Sequence, residues 1–281
     1  MLESSLNQVK NIRMYGTMTK LTRIMCVGPN RLYEAMATLK FDYMIYPRLD
    51  RTYIITPYDQ DEFFDAMGEF LLSSENFVVV NDGYFEQRYD LSRWTHDNWY
   101  KQQAYKLCSL DHFDSEYFLL QDADVILLKP YSVWAGGDLN FKAEPLWNDY
   151  HRIYAEMVEE ILGMNRAIPY SLVNELMPYS KTDWLALKEL LGDWINLIPD
   201  IRPFDGTKWF SEYELLGIYK TNQKGWTYFS CESQPPIDTW DDVWTADWTR
   251  QNSLKFHAEP LKFMNKDEAH KLVRYVNDAI N

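Results

Sequence analysis

The stretch YFLLQDADVILLKP, residues 117–130, joins two apolar runs through a pair of acids. Tyr117 to Leu120 and Val125 to Leu128 have the composition of buried strand, yet Asp122 and Asp124 stand one residue apart between them. Two carboxylates where a strand leaves a sheet are costly unless something neutralises them. A divalent cation does so directly, and carboxylate oxygens suit hard ions such as Mg²⁺ and Mn²⁺. In a strand of period two, residues i and i+2 point the same way, so the two aspartates are expected to converge on one ion. Lys129 and Pro130 then lead into a turn.

Upstream of this stretch, strand and helix alternate. LTRIMCV (21–27) reads as strand and RLYEAMATL (31–39) as a short amphipathic helix. TYIITP (52–57) is a second strand, followed by a helix from about Asp61 to Leu72. FVVV (77–80) is a third, ending at Asn81, Asp82 and Gly83. Such alternation predicts an α/β fold, a mostly parallel central sheet with helices on its faces and a ligand site at the carboxyl ends of the strands.

The helix NWYKQQAYKLCSL (98–110) has two stripes. Tyr100, Ala104, Leu107 and Cys108 follow core spacing. Trp99, Gln103, Lys106 and Leu110 form a mixed stripe that either faces a polar cavity or leaves Gln103 and Lys106 in solvent. The second half is more helical. Residues 150–164 and 182–197 carry helical periodicity, the latter opened by Ser180 with Asp183, and are expected to form an insertion or lid beside the sheet. A last helix runs from about Lys266 to Ile280, with Asn265 and Glu268 as its cap. The expected organisation is one domain over 1–281. A sheet half spans about 21–140, a helical insertion about 150–200, and an acceptor side with the C-terminal helix about 205–281.

Composition narrows the partners. The chain carries 28 Lys+Arg against 42 Asp+Glu, a net charge of -14, which repels a phosphate backbone and argues against a nucleic-acid partner. Cys26, Cys108 and Cys231 are odd in number and far apart, unlike a disulfide framework or thiolate metal site. No N-terminal signal-like run and no stretch of the roughly 20 apolar residues a membrane helix needs is visible, so a cytoplasmic protein is expected.

FLLQDAD resembles the DxD motif of metal-dependent, nucleotide-sugar glycosyltransferases of the GT-A fold. WYKQQAYKL resembles the W-x-x-QQ-x-x-KL helix of a bacterial and phage group of such enzymes, and FSEYELLG (210–217) resembles that group's SEY segment. The likeness spans roughly residues 50–262 as distributed motifs. It implies a GT-A-like, Rossmann-like sheet and transfer of a sugar from a nucleotide-diphosphate donor to a hydroxyl acceptor such as a glycan. Mn²⁺ or Mg²⁺ would bridge the aspartates and the donor diphosphate and neutralise charge on the leaving group. Asp124 would be a metal ligand, and Asp122 would bind the metal or the ribose. Gln103 and Lys106 would face the donor, His257 would complete the metal site, and Lys262 would contact phosphate.

Glu212 shares a stripe with Leu215, Leu216 and Tyr219 and so points inward at a helix N-terminus, as a base or sugar contact or as a first-turn acid. Ser211 and Glu214 read as a capping box. Asp82 sits where a nucleoside would bind, or is a turn residue. Trp240, Trp244 and Trp248 share one helical face with acids between them, suited to core packing or to stacking on a sugar.

Two other readings compete. A haloacid-dehalogenase-like, Mg²⁺-dependent phosphatase also uses DxD, with the first Asp as nucleophile. Its motif follows the first strand, whereas about three strands precede Asp122, and Ile126 stands where Thr or Val is expected. A non-catalytic carbohydrate-binding protein would use the tryptophans and treat DxD as an ion site.

Overall fold

Alternation along LTRIMC decides how the sheet is covered. In the computed structural model, which describes residues 20–67, 76–94, 98–145, 149–173, 176–202, 209–230, 253–255 and 265–280, this segment is strand β1 (Leu21–Cys26). Ile24 and Cys26 enter one core, while Met25 and, just beyond the strand, Val27 enter another. The strand is buried on both faces although Thr22 and Arg23 interrupt its apolar run, and the enclosed Arg23 is paired with Asp42.

The chain continues through α1 (Leu32–Leu39), β2 (Ile45–Tyr46), β3 (Arg51–Thr56), α2 (Gln60–Met67), β4 (Phe77–Asn81) and the single turn α3 (Gly83–Glu86). Helix α4 (Asn98–His112) leads into β5 (Tyr117–Asp122) and β6 (Val125–Leu127). Strands β5, β1, β3 and β4 lie side by side in that order, all parallel. Helices α1 and α2 supply Leu32, Ala35, Met36 and Phe63 to the core behind Met25. Helix α4 supplies Tyr100, Ala104, Leu107 and Cys108 to the core behind Ile24, as its apolar stripe predicts. Helices therefore cover both faces.

From β1 the chain winds outward through β3 to β4, then returns to place β5 on the other side of β1. That reversal makes the crevice between the carboxyl ends of β1 and β5 a topological switch point, the usual place for a ligand in an open α/β sheet. Asp122, the last residue of β5, pairs in register with Cys26, the last of β1. β5 is the fourth strand of its sheet in chain order, not the first that the phosphatase reading asks for.

Beyond β6 come the short strands β7 (Tyr131–Ser132) and β8 (Trp134–Ala135), then β9 (Asp138–Pro145), α5 (Asp149–Leu162) and β10 (Tyr170–Ser171). Strand β11 (Leu176–Ser180) adds antiparallel to the free edge of β5 and carries Pro178, which an edge strand tolerates. The expected insertion is thus helical on either side of a strand that belongs to the main sheet. The single helix predicted over 182–197 is two, α6 (Lys181–Leu191) and α7 (Trp194–Ile201). Gly192 ends the first at φ 63, a left-handed conformation that glycine adopts without penalty. Ser180 Oγ caps α6 by accepting from the Asp183 amide at 3.0 Å, as its sequence predicts.

Helix α8 (Glu212–Thr221) packs on α5 and α4, and β12 (Trp226–Ser230) lies parallel to β9 in a smaller sheet with β10. β13 (Ser253–Lys255) pairs with β6, and α9 (Lys266–Ile280) packs on α1. Asn265 and Glu268 form the predicted reciprocal cap of α9. Among the described residues no helix is long and apolar enough to cross a membrane.

Gly217 lets α8 approach the segment after β10. A Cβ there would lie 2.8 Å from Leu172 Cβ, an atom that no side-chain rotation can move. Gly217→Ala is expected to cost about 1–3 kcal/mol by overpacking. Leu172→Ala in the same chain keeps that Cβ and removes only Cγ and the atoms beyond it, so it should recover part of the increment and no more, as read by chemical denaturation.

Candidate functional site

The acid pair lies at the switch point, but not as a strand alternation. β5 ends at Asp122, and Ala123 and Asp124 form a turn before β6. The period-two argument for convergence therefore fails, because the backbone has left the strand before Asp124. Thr38 of α1 anchors the turn, its Oγ1 donating to the Ala123 carbonyl at 2.7 Å.

Asp122 faces α4 and α8. Its Oδ1 accepts from Lys106 Nζ at 2.6 Å and from the Tyr213 hydroxyl at 2.7 Å. Lys106 Nζ also donates to Glu212 Oε1 at 2.6 Å and to the Tyr213 hydroxyl at 3.0 Å. Lys106 is 4% exposed and Glu212 2%, so two carboxylates share one enclosed ammonium. Gln103 is also buried, and its Oε1 accepts from the Glu212 amide at 2.9 Å. The solvent-facing reading of Gln103 and Lys106 is thus overturned: the mixed stripe of α4 meets the N-terminus of α8.

Gln103 also explains why the expected Ser211–Glu214 capping box is absent. With Gln103 serving the first turn of α8, Ser211 makes no side-chain cap. Glu214 turns away to accept from Ser171 Oγ at 2.7 Å and from the Leu172 amide at 3.1 Å. Burial pushes Glu214 up to about 7, with those two donors opposing.

Burial pulls the Lys106 ammonium towards a lower pKa, but Asp122 and Glu212 outweigh it and hold the value well above the ordinary lysine range. Burial raises Glu212 above the usual carboxylate range, opposed by Lys106.

Asp124 meets a different cation. Its Oδ2 lies 3.8 Å from Arg31 Nη1, and the same nitrogen lies 3.3 Å from Glu34 Oε1. Burial pushes Glu34 up to about 7, opposed by the Arg31 guanidinium.

Beside the acid pair, a cavity of about 160 Å³ opens over the carboxyl ends of β1, β3 and β4. Gly28, Pro57, Asp82, Glu86, Lys101 and Tyr105 are in its wall. Glu86 Oε1 accepts from Lys101 Nζ at 2.7 Å and from the Tyr105 hydroxyl at 2.8 Å. Asp82 lines this space as the strand-end reading predicts. Asp82 is a turn residue as well, its carbonyl accepting from the Phe85 amide at 3.0 Å, and its neighbour adds a side-chain contact, Asn81 Oδ1 accepting from the Gly83 amide at 3.0 Å. Burial, then the nearby Glu86, raises Asp82 above the ordinary carboxylate range.

The structure therefore brings Asp122, Lys106, Gln103 and Glu212 into one network, with Asp124 and Asp82 on either side of the crevice. His257 and Lys262 lie outside the described residues, as do Trp240, Trp244, Trp248 and Cys231. Among the described residues, no group of three His, Cys, Asp or Glu could hold a metal ion. The oxygen donors of Asp122 and Asp124 suit a hard cation in kind, and a cation on Asp122 has to share it with Lys106. Sequence reasoning missed Arg31, Glu34, Thr38 and Tyr213. The first three fall at i, i+3 and i+7, a stripe that starts at the residue before α1 and runs along that helix, which was the available signal.

Comparison with solved structures places a crystal structure of an active-site mutant of LgtC over 90% of this chain and 95% of that one, with a TM-score of 0.50 and 13% sequence identity. At that identity the likeness is one of fold, and the architecture is the GT-A-like α/β fold that the resemblance implied. No curated protein sequence matches this chain. A family model matches residues 32–260, and the chain therefore belongs to the family of unknown function DUF6492.

Proposed function

We propose that the chain is a glycosyltransferase that takes a nucleotide-diphosphate-sugar donor into the crevice between β1 and β5 and passes the sugar to a hydroxyl acceptor. One observation carries this reading. Asp122 ends β5 and Asp124 lies in the turn after it, both at the topological switch point and next to the cavity over β1, β3 and β4. A nucleoside would occupy the cavity, with Asp82 as an acceptor for its N–H groups, and the diphosphate would extend towards Asp122 and Asp124. Those two would hold Mn²⁺ or Mg²⁺, which supplies positive charge where the leaving diphosphate gains negative charge.

Lys106 and Gln103 act indirectly in this reading. Lys106 fixes Asp122 and Glu212 relative to one another, and Gln103 fixes the start of α8. Glu212 is proposed as the group that takes the acceptor proton, its burial favouring the neutral form and so moving it towards a useful basicity. His257 and Lys262 are proposed, on resemblance alone, as a metal ligand and a phosphate contact.

The test is thermal unfolding of the chain with a panel of nucleoside diphosphates, with Mn²⁺ and with a chelator. Ligand binding to the native state raises the midpoint by mass action; at a hundred times Kd the gain is about 2.7 kcal/mol. A diphosphate-dependent rise that disappears with chelator is expected, and the effective base names the donor. A flat response to every diphosphate would count against the donor site.

A further inference from the structure

We infer that Arg31 is an exchanging cation: it neutralises Asp124 in the donor-free protein and turns onto the donor diphosphate when a divalent ion takes Asp124. The inference rests on the donor-site reading above and adds a residue and an order of events to it.

The position is right for both tasks. Arg31 directly precedes α1, and its amide donates to the Gly28 carbonyl at 3.0 Å. Its side chain passes close to Gly28, since a Cβ added there would lie 3.9 Å from Arg31 Cγ. Gly28 is part of the cavity wall. The guanidinium end lies towards Asp124. Arg31 therefore spans the gap between the cavity proposed for the nucleoside and the carboxylate proposed for the ion, which is where a diphosphate would run.

Its present contacts hold it loosely. One nitrogen serves both Glu34, at 3.3 Å, and Asp124, at 3.8 Å, whereas a locked arginine makes two parallel bonds to one carboxylate. The side chain is 27% exposed, so it can turn without leaving a cavity in the core. Glu34 is fully buried and its Oε2 has no hydrogen-bond partner, so its tie to Arg31 is a single long contact. Thr38, one turn further along α1, fixes the Ala123 carbonyl and keeps Asp124 beside Arg31. An arginine suits the new partner better than the old one, because its fork matches a diphosphate and two cations on one carboxylate repel.

Cation and diphosphate should then bind cooperatively, each releasing Arg31 to the other. Isothermal titration of the full chain tests this with three probes: Mn²⁺ alone, inorganic pyrophosphate with Mn²⁺, and the nucleoside of whichever diphosphate binds best. Arg31→Gln should bind Mn²⁺ alone about three- to tenfold more tightly, because the competing charge is gone. It should bind pyrophosphate with Mn²⁺ about ten- to a hundredfold more weakly, and the nucleoside as the parent does. Arg31→Lys should fall between, keeping the charge without the fork. Unchanged pyrophosphate affinity in Arg31→Gln, or unchanged Mn²⁺ affinity, overturns the exchange while leaving the donor site standing. A parent chain that takes neither pyrophosphate nor any nucleoside diphosphate with Mn²⁺ overturns the donor site and the exchange with it.

Discussion

Lys106→Met is expected to destabilise the fold by about 3–5 kcal/mol, the range for removing one partner of a buried ion pair. The loss exceeds that of a surface lysine because Lys106 Nζ reaches Asp122, Glu212 and Tyr213 from a position only 4% exposed. Methionine fills a similar volume but leaves Glu212 charged and enclosed. The deficit should depend on pH with a definite sign. Burial already raises Glu212, so folding favours its protonated form. Stability from that shift is present below the unfolded carboxylate value of about 4.3 and is lost as pH rises through the higher folded value. Without Lys106 the folded value climbs further, so the variant loses stability over a wider window towards neutrality. Urea denaturation of parent and variant between about pH 5 and 8 reads the difference directly. Adding Glu212→Gln to Lys106→Met should recover part of the loss, since it removes one stranded charge. Glu212→Gln alone also separates two roles for this acid. A base in the transfer step would take kcat down at an unchanged KM, whereas a purely structural partner of Lys106 would lower stability and leave kcat intact.

What could be read from the sequence follows from which physical effects are local. β1, β3 and β4 are runs rich in β-branched and apolar residues, buried in β1 and half-buried in β4, between turn residues, so their existence and their approximate ends were legible. The apolar stripe of α4 and the caps at Ser180 and Asn265 depend on neighbours within one turn and were legible too. β11 was not, because Pro178 within LMPYS speaks against a strand and only an open edge beside β5 admits it. The break at Gly192 was hidden by apolar periodicity that continues through α7.

The site shows the same division. Asp122, Asp124 and Asp82 could be placed because strand ends can be placed. The fate of Gln103, Lys106 and Glu214 could not, because each is decided by a residue from 43 to 109 positions away. The Ser211–Glu214 spacing fits a capping box well. It lost to tertiary partners, Gln103 at the helix start and Ser171 across the interface with α5 and β10. Long-range hydrogen bonds override local capping when burial makes them the more costly to leave unmade.

Asp124→Asn, the second large effect, should remove cation-dependent binding of the diphosphate by at least about a hundredfold while leaving the fold as stable as before. Asp122 is tied to Lys106 and Tyr213, so its replacement disturbs a buried network as well as any ion site. Asp124 lies in the turn, 17% exposed against 26% for Asp122, but its ionic neighbour Arg31 is 27% exposed where Lys106 is enclosed. Losing a partly solvated ion pair of that length costs little. An amide, however, brings no charge to a hard cation, and each carboxylate is a large part of the attraction when few ligands are negative. Binding should therefore fall in Asp124→Asn with the denaturation midpoint unmoved, whereas Asp122→Asn should lower both. Calorimetry with Mn²⁺ and the best nucleoside diphosphate, alongside urea denaturation of each variant, separates the two aspartates. Equal binding by Asp124→Asn and the parent would remove Asp124 from the ion site. Equal stability of Asp122→Asn and the parent would mean that Lys106 is satisfied by Glu212 and Tyr213 alone.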